Sequence, residues 1–164
     1  SRGITLFLEP KALYNSPKVA ASIPDDFEVP FGKAKIRREG SDVSIITYGN
    51  TTPMSEDVAE AMSEKGVSVE VLDLRSLSPL DTDAILATTK KTGKVLIVHE
   101  DKVFGGFGGE VASFINENAF EALDGPVMRV GSTFTPVGFN RILEKAVLPD
   151  TVRIQNALDK LIAY

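Results

Sequence analysis

His99 and Glu100 are the residues whose types and adjacency most directly suggest chemistry in this chain. An imidazole beside a carboxylate suits general-base catalysis, with the acid orienting the base. The pair closes the run Val95-Leu96-Ile97-Val98 and precedes Gly105-Gly106-Phe107-Gly108-Gly109-Glu110. A glycine-rich loop that opens a helix can hold an anion, because helix N-termini carry free N–H groups. Asp73, Arg75 and Asp81 form a second charged group, following a strand-like run. The carboxylate of Tyr164, with Asp124 in the Leu123-Asp124-Gly125-Pro126 turn, would make an acidic site.

Each candidate also has a plainer reading. The glycines lack the spacing of a phosphate loop, and Glu110 in the first helical turn suits the helix dipole but repels phosphate. Close packing of the helix start, against the sheet or a partner subunit, is the preferred account. A His-Glu dipeptide on a strand sends its side chains to opposite faces, which parts the base from its acid. A structural histidine at a subunit interface is therefore preferred to a catalytic one, with an ordinary satisfied histidine as the third reading. For Asp73 and Arg75 an ion pair fixing the loop is preferred to ligand binding.

These residues need elements to position them. Val95–Val98 is short, apolar and β-branched, the pattern of a strand covered on both faces. Groups beyond the carboxyl end of such a strand face the crevice of an open parallel sheet. Ile4-Thr5-Leu6-Phe7-Leu8 is a strand candidate stopped by Glu9-Pro10. Residues 15–30, with Pro17, Pro24 and Pro30, read as a linker or extended wrapping segment. Residues 34–38 and 43–48 flank Glu39-Gly40-Ser41-Asp42 as a hairpin, its polar first arm suiting a sheet edge. A helix follows, with Thr52 as cap, Pro53 in first position and Met54, Val58 and Met62 as its buried stripe. Gly66 ends it.

Val67–Asp73 is the next strand, in a right-handed parallel crossover. Ser78 and Asp81 fit a capping box before a helix over about residues 81–90. Gly93 closes that helix, and the central strand follows. The glycine loop starts a third helix with Val111, Phe114, Ile115 and Asn118 on one face. A last strand, 127–130, precedes a short helical piece and a final helix bearing Ile154, Ala157, Leu158, Leu161 and Ile162. The sum is α/β: three layers, α/β/α, around a mixed sheet of about five strands, mostly parallel with one antiparallel edge strand.

The 164 residues suffice for one domain with a real core. There is no cysteine for disulfide or thiolate chemistry, and His99 alone could offer an imidazole to a metal. A net charge of −5 argues against nucleic acid and suits a basic protein partner. No apolar run approaches the roughly 20 residues of a membrane span, and the start carries no signal-peptide pattern. An apolar strand so near the start is expected of a piece cut from a longer polypeptide.

Several motifs, in fixed order, resemble one family. Phe7-Leu8-Glu9-Pro10-Lys11, then Leu13-Tyr14, resembles the end of the second domain in β subunits of 2-oxoacid dehydrogenases. Val29-Pro30-Phe31-Gly32-Lys33-Ala34 resembles the start of their last domain. Asp73-Leu74-Arg75-Ser76-Leu77-Ser78-Pro79-Leu80-Asp81, Lys91-Thr92-Gly93, His99-Glu100, the glycine loop to Glu110, Pro126-Val127, Arg129-Val130 and Leu148-Pro149 continue the match. The likeness is to branched-chain and pyruvate members, and the last domain is similar to the transketolase C-terminal domain.

The resemblance implies a thiamine-diphosphate enzyme with magnesium that decarboxylates a 2-oxoacid and passes the acyl group to a lipoyl arm. It implies that residues 1–14 are the tail of a pyrimidine-binding domain, 15–33 a linker, and 34–164 the transketolase C-terminal-like domain. The family's catalytic glutamate and glycine–aspartate–glycine motif have no counterpart here. The chain alone is thus expected to bind no thiamine or metal and to turn over no substrate. Its implied work is assembly, as a homo-oligomer or with α subunits in an α2β2 enzyme, and docking of the lipoyl acyltransferase core. His99, Glu100, Gly105, Gly106, Phe107, Gly108, Asp124 and Tyr164 are the implied contact residues. The setting implied is bacterial cytoplasm or mitochondrial matrix. A free-standing interaction module and a transketolase-branch enzyme are the rival readings. Which 2-oxoacid is used, and whether α and β parts are fused, are left open.

Overall fold

The computed structural model describes residues 3–17, 19–20 and 22–164. Its centre is β2, Val43–Thr47, in which every residue is buried. Continuous burial requires a sheet covered on both faces, and parallel neighbours supply the setting. β2 pairs in parallel with β3, Val69–Asp73, on one side and with β4, Val95–Lys102, on the other. β5, Met128–Ser132, extends the parallel sheet past β4. β1, Lys35–Arg38, pairs antiparallel with β3 at the opposite edge. The order is β1-β3-β2-β4-β5, so the expected three-layer α/β/α fold with one antiparallel edge strand is the one observed.

Alternate residues of β4 feed two cores. Leu96 and Val98 pack with Val58, Ala59 and Met62 of α1, Thr51–Ser63, and with Ile154, Leu158 and Leu161 of α5, Thr151–Ile162. Val95 and Ile97 pack with Ile85 of α2, Thr82–Thr92, and with Val111 and Ile115 of α3, Gly108–Ala119. Period-two alternation on the strand meets period-3.6 stripes on the helices. Each fully buried Leu or Ile contributes roughly 1.5–3 kcal/mol. A short helix α4, Arg141–Val147, precedes α5, and Arg153 of α5 donates to the Gly131 carbonyl at 2.8 Å, fixing α5 to β5.

Four local expectations fail, each for a physical reason. β1 and β2 do not form a hairpin: β3 lies between them. The chain crosses the start of β3 at Gly40, where a Cβ would lie 2.1 Å from the Glu70 nitrogen. Asp42 then accepts from the Ser68 amide at 2.7 Å, so the turn residues serve a crossing. Residues 4–8 form no strand; no sheet edge meets them, and Ile4, Leu6, Phe7 and Leu8 are exposed. Ser78 does not cap α2. Asp81 is the N-cap, its carboxylate accepting from the Ala84 amide at 3.2 Å. Helix α1 begins two residues before Pro53, with Asn50 rather than Thr52 in the cap position. On α3 the buried stripe ends in Ala119, while Asn118 is exposed.

Candidate functional site

The carboxyl edge between β2 and β4 is where the sheet's connections diverge, and ligands of open α/β sheets bind at such switch points. Here the edge is tied shut. Thr51 Oγ, the first helical side chain of α1, lies 2.8 Å from Thr47 Oγ1 and reaches the carbonyls of Tyr48 (2.9 Å) and Val98 (3.2 Å). One hydroxyl thus joins the end of β2, the start of α1 and β4. Glu100, on the α1 side, accepts from Asn50 Nδ2 at 2.6 Å.

His99 points to the opposite face and is 0% exposed. Its ring lies parallel to Tyr48 at 6.2 Å, and Phe107 meets Tyr48 edge-on. The glycines close over it. A Cβ on Gly108 would stand 2.3 Å from His99 Nε2; on Gly106 or Gly131 it would stand 2.9 or 3.0 Å from Cε1. Such distances leave no room for a side chain, so the glycines permit backbone to rest on the imidazole. Neither ring nitrogen meets a hydrogen-bond partner. Burial holds the ring's pKa below 6.5; Arg129 acts the same way, while the Asp101 carboxylate and backbone oppose. Burial and Asp101 push the Tyr48 hydroxyl up to about 12. A base that no substrate can reach has no one to serve, so this geometry supports no general-base role.

Asp73, Arg75 and Asp81 act on the chain itself. Arg75, at φ +53°, donates to the carbonyls of Lys33 (2.9 Å) and Ala34 (3.2 Å). Asp81 accepts from the Ala34 amide at 2.9 Å as well as capping α2. Asp73 accepts from the Arg75 amide at 3.1 Å, and burial raises its pKa. Together they clamp the segment that leads into β1.

Asp124 and Tyr164 meet at the amino edge of the sheet. The Asp124 amide donates to the Gly93 carbonyl at 2.8 Å, and Gly125 sits against Tyr164 Cβ. Both side chains face solvent, Tyr164 at 71%.

One feature lay outside the sequence reading. Phe104, after β4, and Phe134, after β5, are both exposed and meet edge-on at 4.9 Å. Phe139, Ile142 and Leu143 are exposed further along the same segment. The signal available in sequence was Phe134, Val137 and Phe139 set among turn residues between β5 and α4. Exposed apolar groups of this size mark interaction surfaces. Among the described residues no group of three or more His, Asp or Glu could hold a metal ion, and no helix is long and apolar enough to cross a membrane.

Comparison with known proteins agrees with this architecture. The chain is 38% identical over 160 residues to a pyruvate dehydrogenase E1 component subunit beta of Rickettsia felis, covering 97% of this chain and 48% of that one. It is 36% identical over 160 residues to a mitochondrial 2-oxoisovalerate dehydrogenase subunit beta of Dictyostelium discoideum, covering 97% and 42%. The chain therefore spans about half the length of these relatives. Among solved structures, a split-gene transketolase in an inactive beta4 tetramer superposes with a TM-score of 0.73 at 28% identity, covering 88% of this chain and 46% of that one. The family model for the transketolase C-terminal domain matches residues 32–154. With that match across most of its length, and with the sheet and helices that go with it, the chain belongs to the transketolase C-terminal domain family.

Proposed function

We propose that this chain supplies the C-terminal domain of the β subunit of a 2-oxoacid dehydrogenase decarboxylating component, and that its own part is assembly and docking. The supporting observation is the carboxyl edge. The one imidazole is sealed from solvent, while beside it Phe104 and Phe134 present paired aromatic faces outward. A catalytic edge would need the reverse. In this reading residues 1–14 are the tail of a pyrimidine-binding domain, 15–33 a linker and 34–164 the domain proper. Ser1, Arg2, Lys18 and Ala21 of the first two spans lie outside the described residues. The exposed Ile4, Leu6, Phe7 and Leu8 are then surfaces that the rest of the protein covers.

Thiamine diphosphate and magnesium belong, in this proposal, to other domains. The cradle that glycine-rich loops offer a diphosphate is filled here by the His99 ring. The contact residues are Gly105, Gly106, Phe107 and Gly108 with Glu100 beside them, His99 supporting the loop from beneath. Asp124 and Tyr164 form a second, acidic contact for a basic domain of a lipoyl acyltransferase core. Partner subunits are a second copy or an α-type chain.

The test is to assay the whole protein, with an α-type subunit, for thiamine-dependent decarboxylation of pyruvate and branched-chain 2-oxoacids. Turnover of either supports the proposal. Ketol transfer between sugar phosphates without 2-oxoacid turnover would favour a transketolase-branch enzyme, the reading to which the split-gene transketolase structure gives weight.

A further inference from the structure

His99 is the one histidine of the chain, and no step proposed above uses its ionisation. Its place in the fold makes that ionisation consequential. The ring fills the space under residues 106–108 and under Gly131, so the loop after β4 and the start of α3 rest directly on it. Gly106 cannot lift independently, because its backbone also lies against the Lys102 carbonyl. A neutral ring suits this apolar seat, between Tyr48 and the glycine backbones. A charged one does not: it would be a buried cation with no hydrogen-bond acceptor for either N–H.

The surroundings do little to rescue that charge. From β4 the Asp101 carboxylate and backbone favour it. From β5 the Arg129 guanidinium opposes it. Tyr48, at the end of β2, stays neutral through the physiological range. α3 contributes glycine at the contact, and its nearest acid, Glu110, is exposed.

We infer that His99 is an acid-labile pin: neutral, it holds the 103–109 loop and the start of α3 to the sheet; protonated, it releases them. Release would uncover Phe107 and shift Phe104, which stands in the same loop. Acidification would thus alter the aromatic face at this edge while the strands stay in place. The sign follows from linkage. The open state takes up a proton near 6.5, the ordinary value, and the closed state only below it. Opening is therefore independent of pH above 6.5 and grows as pH falls through the interval beneath, by up to about tenfold per pH unit for one proton.

Hydrogen–deuterium exchange on the full chain reads the 103–109 peptide directly, from about pH 7.5 down to about 5.5, corrected for intrinsic exchange. The expected result is an opening constant that is flat at the upper end and rises toward acid, while peptides from β2 and β3 stay protected. His99→Asn, a neutral residue at the same position, should remove the rise. Should that variant fold poorly, the wild-type ring titration by NMR serves instead, unambiguous in a chain with one histidine. A midpoint below 6.5, coinciding with a chemical-shift change at Gly108, supports the pin. A ring that titrates at its ordinary value, or loop exchange that ignores pH, overturns it.

Discussion

At the carboxyl edge of the sheet His99 lies sealed beneath three glycines, with no polar partner and no solvent. At the amino edge Asp124 and Tyr164 stand in water, packed loosely against Gly93 and Gly125. Both pairs look alike as sequence: a few polar residues beside glycine. The difference is what the glycines face. At one edge they let backbone close on a side chain, so the polar group holds the fold. At the other they only turn the chain, so the polar groups remain available to something outside. A chemically suggestive residue type is thus evidence of function only once its accessibility is known.

This comparison can be broken by mutation, and the largest effect belongs to the sealed edge. Gly108→Ala drives a methyl into the imidazole and should cost about 2–3 kcal/mol by overpacking, read as a lowered urea midpoint. Adding His99→Ala should return part of that loss, because the clash is with the ring itself. Thr51→Val removes the hydroxyl that joins β2, α1 and β4, and should cost about 1–3 kcal/mol in the same assay. Asp81→Ala loses the α2 cap and the bond to Ala34, at about 1–2 kcal/mol, with loosening of residues 33–34 in amide exchange. Asp124→Asn at the open edge should change stability by less than about 0.5 kcal/mol. Its expected effect is weaker binding to a basic acyltransferase domain, read by calorimetry.

Much of the sheet was legible because its signals are local. The apolar run of β4 and the spaced stripes of α3 and α5 report burial directly. The pairing of β1 was not legible. Gly40 and Asp42 carry turn chemistry, and nothing nearby in sequence says that β3 will slip between the arms they join. Residues 4–8 have strand propensity, but propensity without a partner edge gives no strand. The His99 seat was half legible. Spacing disclosed Gly106 and Gly108, whereas Gly131 comes from another strand, and only the fold brings it to the ring. Phe104 and Phe134 went unremarked because a lone phenylalanine is normally core, and exposure is a tertiary property.

The most direct test of the assembly role is the paired substitution Phe104→Ser with Phe134→Ser in the whole protein, followed by sedimentation velocity. Both rings are exposed, so the unfolding midpoint should barely move. The account predicts that the oligomer, or its complex with an α-type subunit, dissociates while the folded chain persists. An assembly unchanged in mass and affinity would contradict it.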